Sequence, residues 1–209
     1  MVHFKLSYFN GRALGEPIRQ MLHIRNVPFE DVRVFREDGS WNALKPKTPF
    51  GQVPVLEVDG FEIPQSAAIG RYVAKKFGFY GNSDEEGAWI DAIVDQFKDF
   101  FVSWVPIHVA RREGKPQEEQ DRIRREVSEP AVESFFAVLK KILSASSSGF
   151  LVGDSLSWAD LVVSDSLTTL ECFGFYAPRD EPMLSAFQRK VNSTDGLKQW
   201  LERRPHSDI

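Results

Sequence analysis

The sequence predicts two unlike units: a mixed βαβ-ββα domain, then an all-α helical bundle domain. Three observations carry that reading. A helical pattern at 16–24 lies between strand patterns at 4–9 and 29–35. An Asp59-Gly60 pair separates two further apolar runs. Beyond about residue 84 helical periodicity recurs and no convincing strand pattern does.

The first strand is Phe4-Lys5-Leu6-Ser7-Tyr8-Phe9, which alternates. The helix that follows carries Ile18, Met21 and Leu22 on one side. Pro17 suits its first turn, where a missing N–H costs little. The second strand covers 29–35, and a strand–helix–strand crossover implies parallel pairing. Residues 54–58 and 61–63 form the third and fourth strands. The Asp-Gly pair between them is a hairpin signal, because both turn positions need positive φ. A helix over 65–76 buries Ala68, Ile69, Tyr72 and Val73. This order is a thioredoxin-like layout. The expected boundaries are 1–79 for this domain, 80–84 for a linker and 85–209 for the helical domain. Long helices are expected over 89–106 and 118–143, the latter bent or broken at Pro130. Residues 144–149 read as a turn, and 157–173, 182–189 and 197–203 as further helices.

Bulk properties exclude several classes. The formal net charge is -4, so no basic excess points to nucleic acid. One cysteine, Cys172, rules out a disulfide within the chain and a C-x-x-C redox or zinc motif. It is expected to pack as a small hydrophobe. No apolar run approaches the roughly 20 residues of a membrane helix. The first residues have no apolar core resembling a signal peptide. A cytoplasmic protein without bound metal is the expectation.

Four ordered motifs carry the chemistry. They are Tyr8-Phe9-Asn10-Gly11-Arg12-Ala13-Leu14-Gly15-Glu16-Pro17-Ile18-Arg19, then Pro49-Phe50-Gly51-Gln52-Val53-Pro54-Val55-Leu56, then Gln65-Ser66-Ala67-Ala68-Ile69, then Gly153-Asp154-Ser155-Leu156-Ser157-Trp158-Ala159-Asp160. Together they resemble the cytosolic glutathione transferases. The details resemble the sigma-like class, its nematode branch and haematopoietic prostaglandin D synthase. The resemblance spans nearly the whole chain. Ser157 and Asp160 also read as a capping box, which is structural.

The resemblance implies an enzyme that joins the glutathione thiolate to small hydrophobic electrophiles, a detoxification reaction. It implies that Tyr8 is catalytic, its hydroxyl donating to the glutathione sulfur. A strand-end tyrosine packed at a sheet edge is the plain alternative. Glutathione-binding residues by the same resemblance are Tyr8, Trp41, Lys45, Gln52, Val53, Pro54, Gln65 and Ser66. The Val53-Pro54 bond is cis in that family. Ser66 can equally be an ordinary helix cap. Asp99 matches an acid that reaches glutathione in the partner subunit of a homodimer; alone, it is a solvated helix residue. Phe50 either anchors a partner or packs locally.

Phe97, Phe100, Phe101 and Trp104 form an aromatic stripe at helical spacing. It divides between helix core and the wall of a hydrophobic substrate site, with Phe9, Leu14, Phe101, Trp104 and the last residues at that site. Leu14 stands where many sigma-class members carry arginine. Arg12 is expected to make ion pairs with helical-domain acids. Alternative functions by resemblance are prostaglandin isomerisation and the binding of haem or other large apolar ligands.

Overall fold

The structure, a computed structural model, describes residues 2–207 and 209. Met1 and Asp208, which fall within the expected domain spans, lie outside the described residues. Strand β1 (Phe4–Phe9), helix α1 (Glu16–Ile24) and strand β2 (Phe29–Val34) form the βαβ unit. A short α2 (Ser40–Leu44) follows, then β3 (Val55–Val58), β4 (Phe61–Pro64) and α3 (Ser66–Phe77). The strand order is β2-β1-β3-β4. β1 runs parallel to β2, Phe9 opposite Val34, and antiparallel to β3. Asp59 and Gly60 both take positive φ, 50° and 88°, as the hairpin requires.

The helical unit comprises α4 (Asp84–Arg112), α5 (Gln117–Ile123), α6 (Glu129–Ala145), α7 (Trp158–Cys172), α8 (Pro182–Asn192) and α9 (Leu197–Arg203). Helix α4 extends beyond the expected 89–106 at both ends. Ser83 caps it by accepting from the Glu86 N–H, and Pro106 sits inside it. Proline deprives the Val102 carbonyl of its partner, but Val102 is 70% exposed, so water can take its place. The expected helix over 118–143 is interrupted by a π turn at Arg124–Ser128. Pro130 offers no N–H to the Glu126 carbonyl within that turn, so the ladder widens just before α6. Helix α2 gave no signal in the sequence. It is one short turn with no buried residue.

Helix α7 is the centre of the helical unit, buried from Trp158 through Leu167. Its start is a capping box. The Asp160 carboxylate accepts from the Ser157 N–H and hydroxyl at 2.8 and 2.6 Å, and from the Leu151 N–H at 2.8 Å. Trp158 then reaches the first domain. A Cβ on Gly70 of α3 would stand 2.4 Å from its ring, so only glycine admits it. Cys172 is exposed rather than packed. Leu170 and Phe173 occupy the inner face of that last turn and leave position 172 to solvent.

Candidate active site

Tyr8 lies near the end of β1, only 7% exposed. Its hydroxyl accepts a hydrogen bond from the Leu14 backbone N–H at 3.3 Å. With that lone pair engaged, the phenolic proton remains to be donated. Burial pushes the Tyr8 pKa up to about 12, against the Leu14 bond and the charges of Arg19 and Arg36. The group is therefore a protonated donor near neutral pH and not a base.

The loop that delivers the Leu14 N–H is held under constraint. Ala13 takes φ of 33°, a costly value for a residue with a Cβ. On one side Arg12, 3% exposed, pairs with Asp165 of α7 at 3.0 Å and donates to the Ser207 carbonyl at 3.1 Å. Asp165 is a helical-domain acid of the kind expected for Arg12. On the other side a Cβ on Gly15 would stand 2.4 Å from the Tyr8 ring. Beneath the loop, Arg204 bridges Glu16 and Asp165, 2.9 Å from each. Glu16 also accepts from the Trp200 indole at 2.7 Å. Burial, and then the nearby Asp165, raise the Glu16 pKa. These charges tie the Tyr8 loop to both domains.

Two hollows meet beside Phe9 and Leu14. The first is a cleft of about 440 Å³ whose lining includes Trp41, Lys45, Gln52, Val53, Pro54, Gln65 and Ser66. The Val53–Pro54 bond is cis. Gln65 takes φ of 74°, a strained value for a glutamine. Its amide donates to the Gln52 side-chain oxygen at 3.3 Å. Ser66 is the first helical residue of α3 and its side chain does not cap the helix. Its hydroxyl and the unpaired N–H groups of the first turn are thus left for an anion. Trp41 packs edge-on against Phe9, centroids 5.2 Å apart, and the Arg36 guanidinium lies 4.2 Å above the same Phe9 ring.

The second hollow is a groove of about 350 Å³ between the β1–β2 end of the sheet and α4. Tyr8, Phe9, Leu14, Phe101 and Ile209 line it. Trp104 stands behind it, 2% exposed and edge-on to Phe173 at 5.0 Å. It faces a narrow apolar cavity of about 40 Å³ between the domains, which shares Leu14, Phe101 and Ile209 with the groove. Phe97 and Phe100 are core residues, and Phe100 stacks on Phe135 at 4.3 Å. Asp99 is exposed on α4 and lines neither hollow of its own chain.

Sequence reasoning missed Ala13, Gly15, Arg36 and His108. Gly15 had a readable signal, since a glycine beside a strand–helix junction often marks close approach of a side chain. Arg36 and His108 gave none, because only the tertiary fold brings the β2 end to the C-terminal half of α4. Among the described residues no cluster of three or more His, Cys, Asp or Glu suits a metal ion. No helix among them is long and apolar enough to cross a membrane.

A family model described as the N-terminal domain of glutathione S-transferase matches residues 4–75, and one described as its C-terminal domain matches 98–204. The chain belongs to the glutathione S-transferase family. Glutathione S-transferase 3 of Caenorhabditis elegans is 46% identical over 207 residues, 99% of each chain. Among solved structures, a Nu-class glutathione S-transferase from Haemonchus contortus superposes with a TM-score of 0.89 at 44% identity, covering 100% of both chains. A monomeric glutathione S-transferase from Necator americanus superposes with a TM-score of 0.90 at 40% identity, covering 99% of this chain and 100% of that one. The thioredoxin-like domain with its helical partner is the fold of this family. The first of these solved structures is called Nu-class, so the matches establish the family and not the sigma-like class.

Proposed function

We propose that this glutathione S-transferase activates the thiol of glutathione with the Tyr8 hydroxyl and conjugates it to small hydrophobic electrophiles held in the groove. The observation that carries the proposal is the Leu14–Tyr8 hydrogen bond, which occupies the phenol as an acceptor and leaves its proton for the sulfur. A free thiol has a pKa near 8.5, so only about 3% is thiolate at pH 7. A charge-assisted hydrogen bond contributes about 1.5–3 kcal/mol, and a pKa unit corresponds to 1.36 kcal/mol. One such bond lowers the thiol pKa by about one to two units. The thiolate fraction cannot exceed one, so this gain saturates near 30-fold. Further acceleration comes from holding the electrophile beside the sulfur.

The cleft has the right donors for the tripeptide. The Ser66 hydroxyl and the α3 N-terminus suit the γ-glutamyl carboxylate. The Val53 backbone beside Pro54 suits the cysteinyl backbone, with Gln52 and Gln65 alongside. Lys45 and Trp41 suit the glycyl end. The thiol proton leaves to solvent, the sulfur lone pair forms the new C–S bond, and the leaving group departs with its bonding pair.

We propose a homodimer in the cytoplasm. Asp99 is exposed and lines neither hollow of its own chain, which suits a reach into a partner's cleft. Phe50 is 63% exposed at the rim of the cleft, as an anchor for a partner would be. Steady-state conjugation of chlorodinitrobenzene tests the central reading. Tyr8→Phe is expected to lower kcat/KM by about ten- to thirtyfold. A loss of less than about twofold would remove Tyr8 from this role.

A further inference from the structure

We propose that Arg19 is a positioning residue for Tyr8: its guanidinium holds two carbonyls of the loop before α1 and lies over the phenol ring, where its charge makes the hydroxyl a stronger donor to the sulfur. The inference rests on the conjugation reading above and deepens the role of Tyr8 in it.

Arg19 closes the motif that Tyr8 opens. It is 0% exposed, and a cation is buried so completely only when its donors are engaged. Its Nε donates to both carboxylate oxygens of Asp31 on β2, at 3.0 and 3.1 Å. One terminal nitrogen donates to the Gly11 carbonyl at 2.6 Å, and the other to the Phe9 carbonyl at 3.3 Å. Phe9 and Gly11 begin the loop that runs on to Leu14, whose N–H orients the phenol. The fork that pairs with Asp31 therefore also fixes the start of that loop. Lysine, with all its donors on one nitrogen, cannot span these acceptors.

Gly15 and Arg19 stand four residues apart, so one face of the helix start presents both. A Cβ on Gly15 would stand 2.4 Å from the Tyr8 ring. The guanidinium carbon of Arg19 lies over the same ring, 5.7 Å from its centroid. Gly15 lets the ring approach the helix, and Arg19 meets it there. A cation in that position is attracted by the π electrons and polarises them. The phenol becomes a better proton donor. Burial pushes the Tyr8 pKa up to about 12, and the Leu14 bond, then the Arg19 charge, act against it.

The acids around Arg19 do not cancel it. Asp31 is shared with Arg33, 2.7 Å away. Glu16, 3.7 Å from Arg19, is shared with Arg204 at 2.9 Å. Burial, and then Asp165, raise the Glu16 pKa, which makes its negative charge the easiest of these to lose. Asp165 is itself shared between Arg12 and Arg204. Each acid in this chain thus answers to two guanidiniums.

The test is a spectroscopic titration of the thiol of bound glutathione, read beside the melting temperature. Arg19→Met is expected to raise the bound thiol pKa by about half a unit, and so to lower kcat/KM about threefold below that pKa. Arg19→Lys, which keeps the charge but not the fork, is expected to shift it less. Asp31→Asn removes the acid closest to Arg19. It is expected to melt lower than the wild type, yet its bound thiol is expected to ionise about 0.3 unit lower. Shifts of opposite sign in two destabilised variants are a signature that a purely structural arginine does not produce. Asp31 is only one-fifth exposed on its side chain but keeps Arg33, so Asp31→Asn decides the matter even where Arg19→Met does not fold. In a Tyr8→Phe background Arg19→Met is expected to leave the thiol where Tyr8→Phe puts it. A wild-type thiol pKa in Asp31→Asn, or an Arg19→Met shift undiminished without the Tyr8 hydroxyl, overturns this proposal and leaves the reading of Tyr8 standing. A wild-type thiol pKa in Tyr8→Phe overturns that reading and this proposal with it.

Discussion

The backbone N–H of Leu14 donates to the hydroxyl of Tyr8 across 3.3 Å. This fixes the direction of the phenol, and burial pushes its pKa to about 12. Tyr8 therefore holds its proton throughout the range in which glutathione ionises. The pH profile of kcat/KM is expected to rise through a single ionisation below the free thiol's value of about 8.5 and to stay flat to about pH 9. A falling limb between about pH 7 and 9 would mean that the phenol, or another essential acid, is losing its proton there.

Gly15 makes room for that phenol. Its Cβ position lies 2.4 Å from the Tyr8 ring, so Gly15→Ala must displace either the ring or the α1 start. Overpacking of this kind costs about 1–3 kcal/mol. The variant is expected to melt lower than the wild type and to lose turnover more than glutathione affinity. Unchanged turnover in a folded variant would show that the ring position is not critical.

Gln65 illustrates a site that stores backbone strain. Its φ of 74° costs a residue with a side chain about 1–3 kcal/mol, and glycine, with no Cβ, bears it at a lower cost. Gln65→Gly is therefore expected to leave the melting temperature unchanged or higher, while raising KM for glutathione by about tenfold. A variant that melts clearly lower, or that keeps its KM, contradicts the assignment of that strain to binding.

His23 couples stability to pH. It stacks on Trp200 with centroids 3.8 Å apart. Burial, and then Arg203, lower its pKa from 6.5 to about 4. The unfolded chain thus takes up a proton at a pH where the folded one does not. Stability from this residue is present above about pH 6.5 and is lost as pH falls toward about 4. Between about pH 7.5 and 5 the wild type is expected to lose more melting temperature than His23→Phe, which keeps the stacking. Equal losses in the two proteins would exclude His23 as the source.

The parts of the fold read most accurately were those with local causes. The β1 and α1 boundaries followed from alternation, Pro17 and periodicity. The Asp59-Gly60 hairpin followed from turn chemistry, and the Ser157–Asp160 box from cap spacing. The readings that failed turned on which face of a helix meets solvent. Pro106 looked like a helix end, but α4 continues through it to Arg112 on a face where Val102 is exposed. Cys172 looked like a core residue, but its neighbours take the inner face. In the site, motifs marked Gln52, Gln65 and Ser66 and the family resemblance named Trp41 and Lys45; the fold gathers all five around one cleft. Arg36 and Arg112 are 76 positions apart and share a groove only because the β2 end faces α4.

The most direct test is a spectroscopic titration of the thiolate of glutathione bound to the wild type and to Tyr8→Phe. The bound thiol is expected to ionise about one to two pH units lower in the wild type than in the variant. Equal values in the two proteins, with glutathione bound to both, would contradict a role for Tyr8 in activating the sulfur.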